Sequence, residues 1–177
     1  MTASSILKSI GRDHALSLLE SPSRSESWDL AGQGLIRLKD IPSALHSFRR
    51  SEVSGPPYLE DYLYRLAMTL EISQEHGAAA ARYIRVYRDK EAKHRRDSLY
   101  RAVGCLQRIG DKATITELLS DHNPDDWRDY QDLGLIAGLA FTSQGDAVRA
   151  ASWFLIEPDV GTVGSSARTL LSTLIDS

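Results

Sequence analysis

The chain has 177 residues, of which 42% are hydrophobic and 25% charged, and it carries a net charge of −3 with a single cysteine. That length can bury one continuous core, and the composition is too apolar for a disordered chain. The charge offers no general field for nucleic acid or anionic membrane, and the lone Cys105 excludes an internal disulfide or a cysteine zinc cluster.

The stretch 4–20 is spaced as a helix. Trp28, Ala31, Leu35 and Leu38 then recur at three- and four-residue steps, which puts them on one face of a helix over 26–38. Lys39-Asp40 breaks it. Asp40 suits an N-cap and Pro42 a first helical turn, so a second helix, with Ala44, Leu45 and Phe48 on its buried face, is predicted over 41–53, before Gly55-Pro56-Pro57. The same helix–turn–helix reading returns at 58–73 with 76–89, at 93–109 with 112–120, and at 128–143 with 146–156. A final helix is predicted over 167–175.

These pairs keep register in columns 35, 36 and 35 residues apart. Ala31, Leu66, Ala102 and Ala137 share one column; Gly32, Ala67, Val103 and Gly138 share the next; Leu35, Leu70, Leu106 and Phe141 follow. Lys39-Asp40, Gln74-Glu75, Gly110-Asp111 and Gly145-Asp146 mark the turns. Ala44, Ala79, Ile115 and Ala150 come next, then Phe48, Tyr83, Leu119 and Phe154. A period of this size marks stacked units, none of which can bury its apolar face alone. Small residues should let paired helices touch, Gly32 at Ala44, Ala67 at Ala79 and Gly138 at Ala150. The aromatic column should then bridge each unit to the next.

In their order these columns resemble the tetratricopeptide repeat. The first unit matches through Trp28, Gly32, Leu35, Ala44, Phe48 and Pro56, and the fourth through Ala137-Gly138, Phe141, Gly145-Asp146, Ala150 and Phe154. The third, with Val103, Ile115 and Leu119, is degenerate. The resemblance implies one helical-repeat domain over 1–177, with repeats at 25–59, 60–95, 96–130 and 131–165 between capping helices at 1–24 and 166–177. The implied fold is all-α, a right-handed superhelix of antiparallel helix pairs (a TPR-like α-solenoid). Its first helices would line a concave groove that holds a peptide or helix. In this chain the groove would present Tyr64, Met68, Tyr100, Leu135 and Leu139, with Arg37, Arg65, Arg101 and Arg108 beside them. Aromatic and arginine residues are enriched at binding hot spots. The family's clamp for terminal carboxylates is not expected, because Asp29 and Asp97 occupy clamp positions and would repel the ligand.

Other patterns read as structure. Glu26, Asp61, Asp97 and Asp132 open the four first helices and offset their N-terminal partial charges. Lys90, Lys93, His94, Arg95 and Arg96 are interleaved with Asp89, Glu91 and Asp97, as in a solvated, ion-paired helix start. Glu91 and His94 make one Glu-x-x-His step without the second motif a di-iron site needs. No nucleophile–base motif and no glycine-rich phosphate loop is present. Catalytic residues, metal and cofactor are therefore not expected, and Cys105 reads as a core thiol.

The expectation is a non-enzymatic protein–protein interaction module, an adaptor, scaffold or chaperone-like holder of a partner's peptide or helix. A type III secretion-type chaperone is its narrower form. The alternative is an RNA-binding helical repeat, since the pentatricopeptide period is also 35; the net charge of −3 argues against a nucleic-acid partner. Residues 1–11 carry one lysine and no long apolar stretch, and no apolar run nears the roughly 20 residues that span a bilayer. Cytoplasmic residence without membrane insertion is expected, and the same surfaces leave room for a homo-oligomer.

Overall fold

The structure, a computed structural model, describes residues 25–54, 59–130, 132–156, 169–170 and 172–173. Among them the fold is all-α: α1 (Ser25–Arg37), α2 (Ile41–Ser54), α3 (Leu59–Ile72), α4 (His76–Arg88), α5 (Arg95–Ile109), α6 (Lys112–Leu119), α7 (Leu133–Ser143) and α8 (Ala147–Phe154). A 3-10 turn, Pro124–Trp127, separates α6 from α7. The expected capping helix at 1–24 lies outside the described residues, as does most of that at 166–177.

The four turns share one hydrogen-bonding scheme, which explains why the columns keep step. Lys39, Gln74, Gly110 and Gly145 all adopt the left-handed conformation, with φ of 60°, 62°, 76° and 77°. At the first turn the Lys39 N–H donates to the Ile36 carbonyl and the Asp40 N–H to the Leu35 carbonyl, both at 2.9 Å. Gln74-Glu75, Gly110-Asp111 and Gly145-Asp146 repeat those bonds, so each first helix ends by satisfying its own last carbonyls. The second turn residue then caps the next helix. Asp40 Oδ1 accepts from the Ser43 N–H at 3.3 Å, Asp111 Oδ1 from Thr114 at 3.1 Å and Asp146 Oδ1 from Arg149 at 3.0 Å. Glu75 makes no such cap. Its carboxylate instead takes both bonds from Arg49 on α2, at 2.8 and 3.1 Å.

Contacts group the chain into two compact units, Met1–Ser98 and Leu99–Ser177. In the first, α1 packs on α2, α2 on α3 and α3 on α4. Trp28, Ala31, Leu35, Ala44 and Phe48 are buried there with Tyr62, Leu66, Ala67, Leu70, Ala79 and Tyr83. Two side-chain bonds fasten neighbours: the Ser47 hydroxyl donates to the Trp28 carbonyl, and the Tyr62 hydroxyl donates to the Phe48 carbonyl. Burial, and then the charge of Glu52, push the Tyr62 phenol above its ordinary range. In the second unit α6 packs on α7 and α7 on α8, around Leu99, Ala102, Val103, Ile115, Leu119, Ala137, Phe141, Ala150, Trp153 and Phe154.

Two expectations need correction. The nearest neighbour of Gly32 is the Phe48 ring and not Ala44: a Cβ built at Gly32 would lie 2.7 Å from Phe48 Cε1. The Phe154 ring covers Gly138 in the same way. Phe48 and Phe154 therefore sit on the glycines of their own pairs, with Ala44 and Ala150 buried alongside. Phe48 also reaches the next pair, meeting Tyr62 edge-on at 6.1 Å. The second correction concerns α7, which begins at Leu133 and not at 128. Asn123 caps the 3-10 turn at the Asp125 N–H, Trp127 is buried, and Asp132 takes a φ of 66° that no continuous helix tolerates.

Candidate functional site

Four of the nine residues expected to line a groove fall in the first unit. Tyr64, Arg65 and Met68 lie on α3 and are half-buried, and Arg37 is exposed in the last turn of α1, where its charge complements the helix C-terminus. Tyr64 is held from three sides. Its ring stacks on His94 at 4.2 Å and 14°, meets Tyr83 edge-on at 5.8 Å, and its hydroxyl donates to Asp97. His94 Nε2 lies 3.4 Å from Asp61 Oδ1, so the face beside Tyr64 pairs two carboxylates with an imidazole and a phenol. Glu71 accepts from the Tyr83 hydroxyl at 2.9 Å, which fixes the ring that supports Tyr64.

Arg65 occupies a different role from an open cation. Its Nη2 donates to Asp29 Oδ2 at 2.7 Å and its Nε to Oδ1 at 3.2 Å, a two-pronged pair between α3 and α1. Gln33 adds a third bond to Asp29 at 2.8 Å. Asp29, which would repel a ligand's carboxylate, is thus already neutralised by Arg65 within this unit.

The other five residues fall in the second unit. Tyr100 on α5 is half-buried against Tyr130, with ring centroids 4.9 Å apart, and Tyr130 in turn meets Trp127 at 5.3 Å. His122 lies edge-on to Trp127 at 5.3 Å. Arg101 is half-buried, and Arg108 is exposed in the last turn of α5. On α7, Leu135 is half-buried and Leu139 is 36% exposed. Leu139 borders a cavity of about 160 Å³ whose apolar walls are Ile115, Ile136 and Ala140, completed by Gln107, Gly110 and Lys112. A half-exposed leucine at the mouth of a small apolar cavity is a surface that an aliphatic side chain can cover.

Sequence reasoning missed His94 and Asp61 as neighbours of Tyr64, and Tyr130 and Trp127 as supports of Tyr100. His94 stands in a run of basic residues, and Trp127 falls in the column gap between two units, where no periodicity marks it. The Asp61 and Asp97 carboxylates do open their helices, yet each also holds a named partner, His94 and Tyr64.

No protein-family model matches the chain, and no curated protein matches it. Among the described residues no group of three or more His, Cys, Asp or Glu side chains could hold a metal ion. No helix among them is long and apolar enough to cross a membrane.

Proposed function

We propose that this chain is a tetratricopeptide-like helical-repeat protein, a non-catalytic module that binds a peptide or helix of a partner protein through the exposed faces of its first helices. Support for the repeat reading comes from the four matching turns and from the ring-over-glycine contact that recurs at Phe48–Gly32 and Phe154–Gly138. The observation that carries the binding reading is the apolar cavity beside Leu139. Its open leucine lies on a first helix, the kind of helix that lines the groove in the family this sequence resembles, and its size suits one aliphatic anchor residue.

The test is selection of peptides from a displayed random library on the full chain, followed by affinity measurement for the consensus. Leu139→Asp should weaken that peptide by about tenfold or more while the circular dichroism spectrum and melting temperature stay unchanged. Equal affinity in the variant would move the site away from this cavity. Tyr64→Ala should cost more than about 1 kcal/mol in binding if the partner also covers the first unit. Tight binding to single-stranded RNA that falls steeply with salt would favour the nucleic-acid reading instead.

A further inference from the structure

A second cleft in the Leu99–Ser177 unit, about 450 Å³ in volume, lies against different faces of α6 and α7 from the apolar cavity. It is bounded by Thr116 and Glu117 on α6, Phe141 and Gln144 at the end of α7, and Asp146 and Arg149 at the start of α8. The charges in it are unequally engaged. Among the described residues Arg149 is the only cation of the lining, and its charge is paired: its Nε donates to Asp146 Oδ2, and its guanidinium lies 5.0 Å over the Phe141 ring. Asp146 is occupied too, since it also accepts from the Arg149 N–H at 3.0 Å. Glu117 is exposed, and among the described residues its carboxylate takes part in no hydrogen bond or ion pair.

The remaining polar groups are mostly acceptors. Thr116 gives its hydroxyl proton to the Ala113 carbonyl at 2.8 Å, so its oxygen faces the cleft with lone pairs only. Gln144 adds a side-chain amide, whose oxygen can accept and whose NH2 can donate. An uncommitted carboxylate, a hydroxyl oxygen and an amide oxygen match an ammonium group, which has three donors and no acceptor. A carboxylate ligand would find Arg149 already paired with Asp146 and Glu117 repelling it. The methylenes behind an ammonium would lie along the Ala113 side of the cleft, as lysine stems do on apolar surface.

We propose that this cleft receives a lysine side chain of the partner protein, with Glu117 as counter-ion and Thr116 and Gln144 as the orienting acceptors. The proposal rests on the reading of the chain as a partner-binding module, and it names the chemistry the partner must carry at the second unit. The test is a titration of the isotope-labelled full chain with N-acetyl-lysine N-methylamide, followed by amide NMR shifts, with the norleucine analogue as the uncharged control. The lysine probe should shift the Thr116, Gln144 and Arg149 amides saturably and the norleucine probe should not. Glu117→Gln should weaken the lysine probe by about two- to fivefold, the loss expected of a solvent-exposed charge pair. Absence of saturable shifts, an equal response to norleucine, or unchanged affinity in Glu117→Gln would each overturn it. Leu139→Asp leaves this cleft intact, so loss of peptide binding in that variant with retained lysine shifts separates the cavity at Leu139 from this site.

Discussion

Gly32 and Gly104 sit in neighbouring columns of the repeat and answer opposite demands. A Cβ at Gly32 would meet the Phe48 ring at 2.7 Å, whereas at Gly104 it would find nothing within 4 Å. Gly32→Ala should therefore destabilise the chain by about 1–3 kcal/mol through overpacking. Gly104→Ala should stabilise it by about 0.5–1 kcal/mol, because alanine loses less backbone freedom in a helix. Urea midpoints of the two variants should move in opposite directions; a shared sign would mean that the ring does not cover the glycine. Ser98 presents a third case. Its hydroxyl is fully buried and has no hydrogen-bond partner among the described residues. Ser98→Ala removes that unsatisfied group and should raise stability by about 1 kcal/mol.

At the scale of elements, the turns decide where helices stop and start. Two of the four left-handed positions are held by Lys39 and Gln74, side chains that this conformation disfavours by roughly 1–2 kcal/mol. Replacing either with glycine should stabilise the chain by about 0.5–1 kcal/mol after the greater freedom of unfolded glycine is subtracted. The caps carry a pH signature. Bonds from the Thr114 hydroxyl and then its N–H hold the Asp111 carboxyl below its ordinary value; the Arg149 N–H and then its side chain do the same for Asp146. A proton thus binds these groups more readily in the unfolded chain. Their contribution is complete above the ordinary carboxylate range and is lost as pH falls through the lowered values. The stability difference between the chain and an Asp111→Asn, Asp146→Asn variant should accordingly shrink on acidification below about pH 4. A difference that stayed constant with pH would place the two carboxylates outside the caps. These turns were readable in advance because an acidic residue following a left-handed position leaves a two-residue mark at each period. The start of α7 was not, because Trp127 is anchored by a capped 3-10 turn whose cues, Asn123 and Pro124, also fit an ordinary loop.

For the molecule as a whole, helix identity and the buried columns could be read from periodicity, since Ala31, Leu35, Phe48, Ala102, Phe141 and Phe154 are all buried. The surface was read less completely. A side chain's partner on another helix leaves no periodic trace, so the sequence could nominate Arg65 as a cation without showing that Asp29 holds it. The same gap applies to the cleft at Glu117: Phe141 and Asp146 belong to columns, but Thr116, Glu117, Gln144 and Arg149, which complete its walls, do not. What periodicity does imply is a mode of unfolding. If the pairs form a linear array, each helix is stabilised by its neighbours in order, as α1 on α2, α2 on α3 and α3 on α4 are in the first unit. An overpacked Gly32→Ala should then lower hydrogen-exchange protection most in α1 and α2. A smaller loss should appear in α3, transmitted through Phe48 and Tyr62, with little change in α7 and α8. Gly138→Ala should give the converse pattern, concentrated in α7 and α8 where the Phe154 ring sits. Uniform loss of protection over all eight helices in both variants would mean one cooperative core, and the repeat reading would have to be given up.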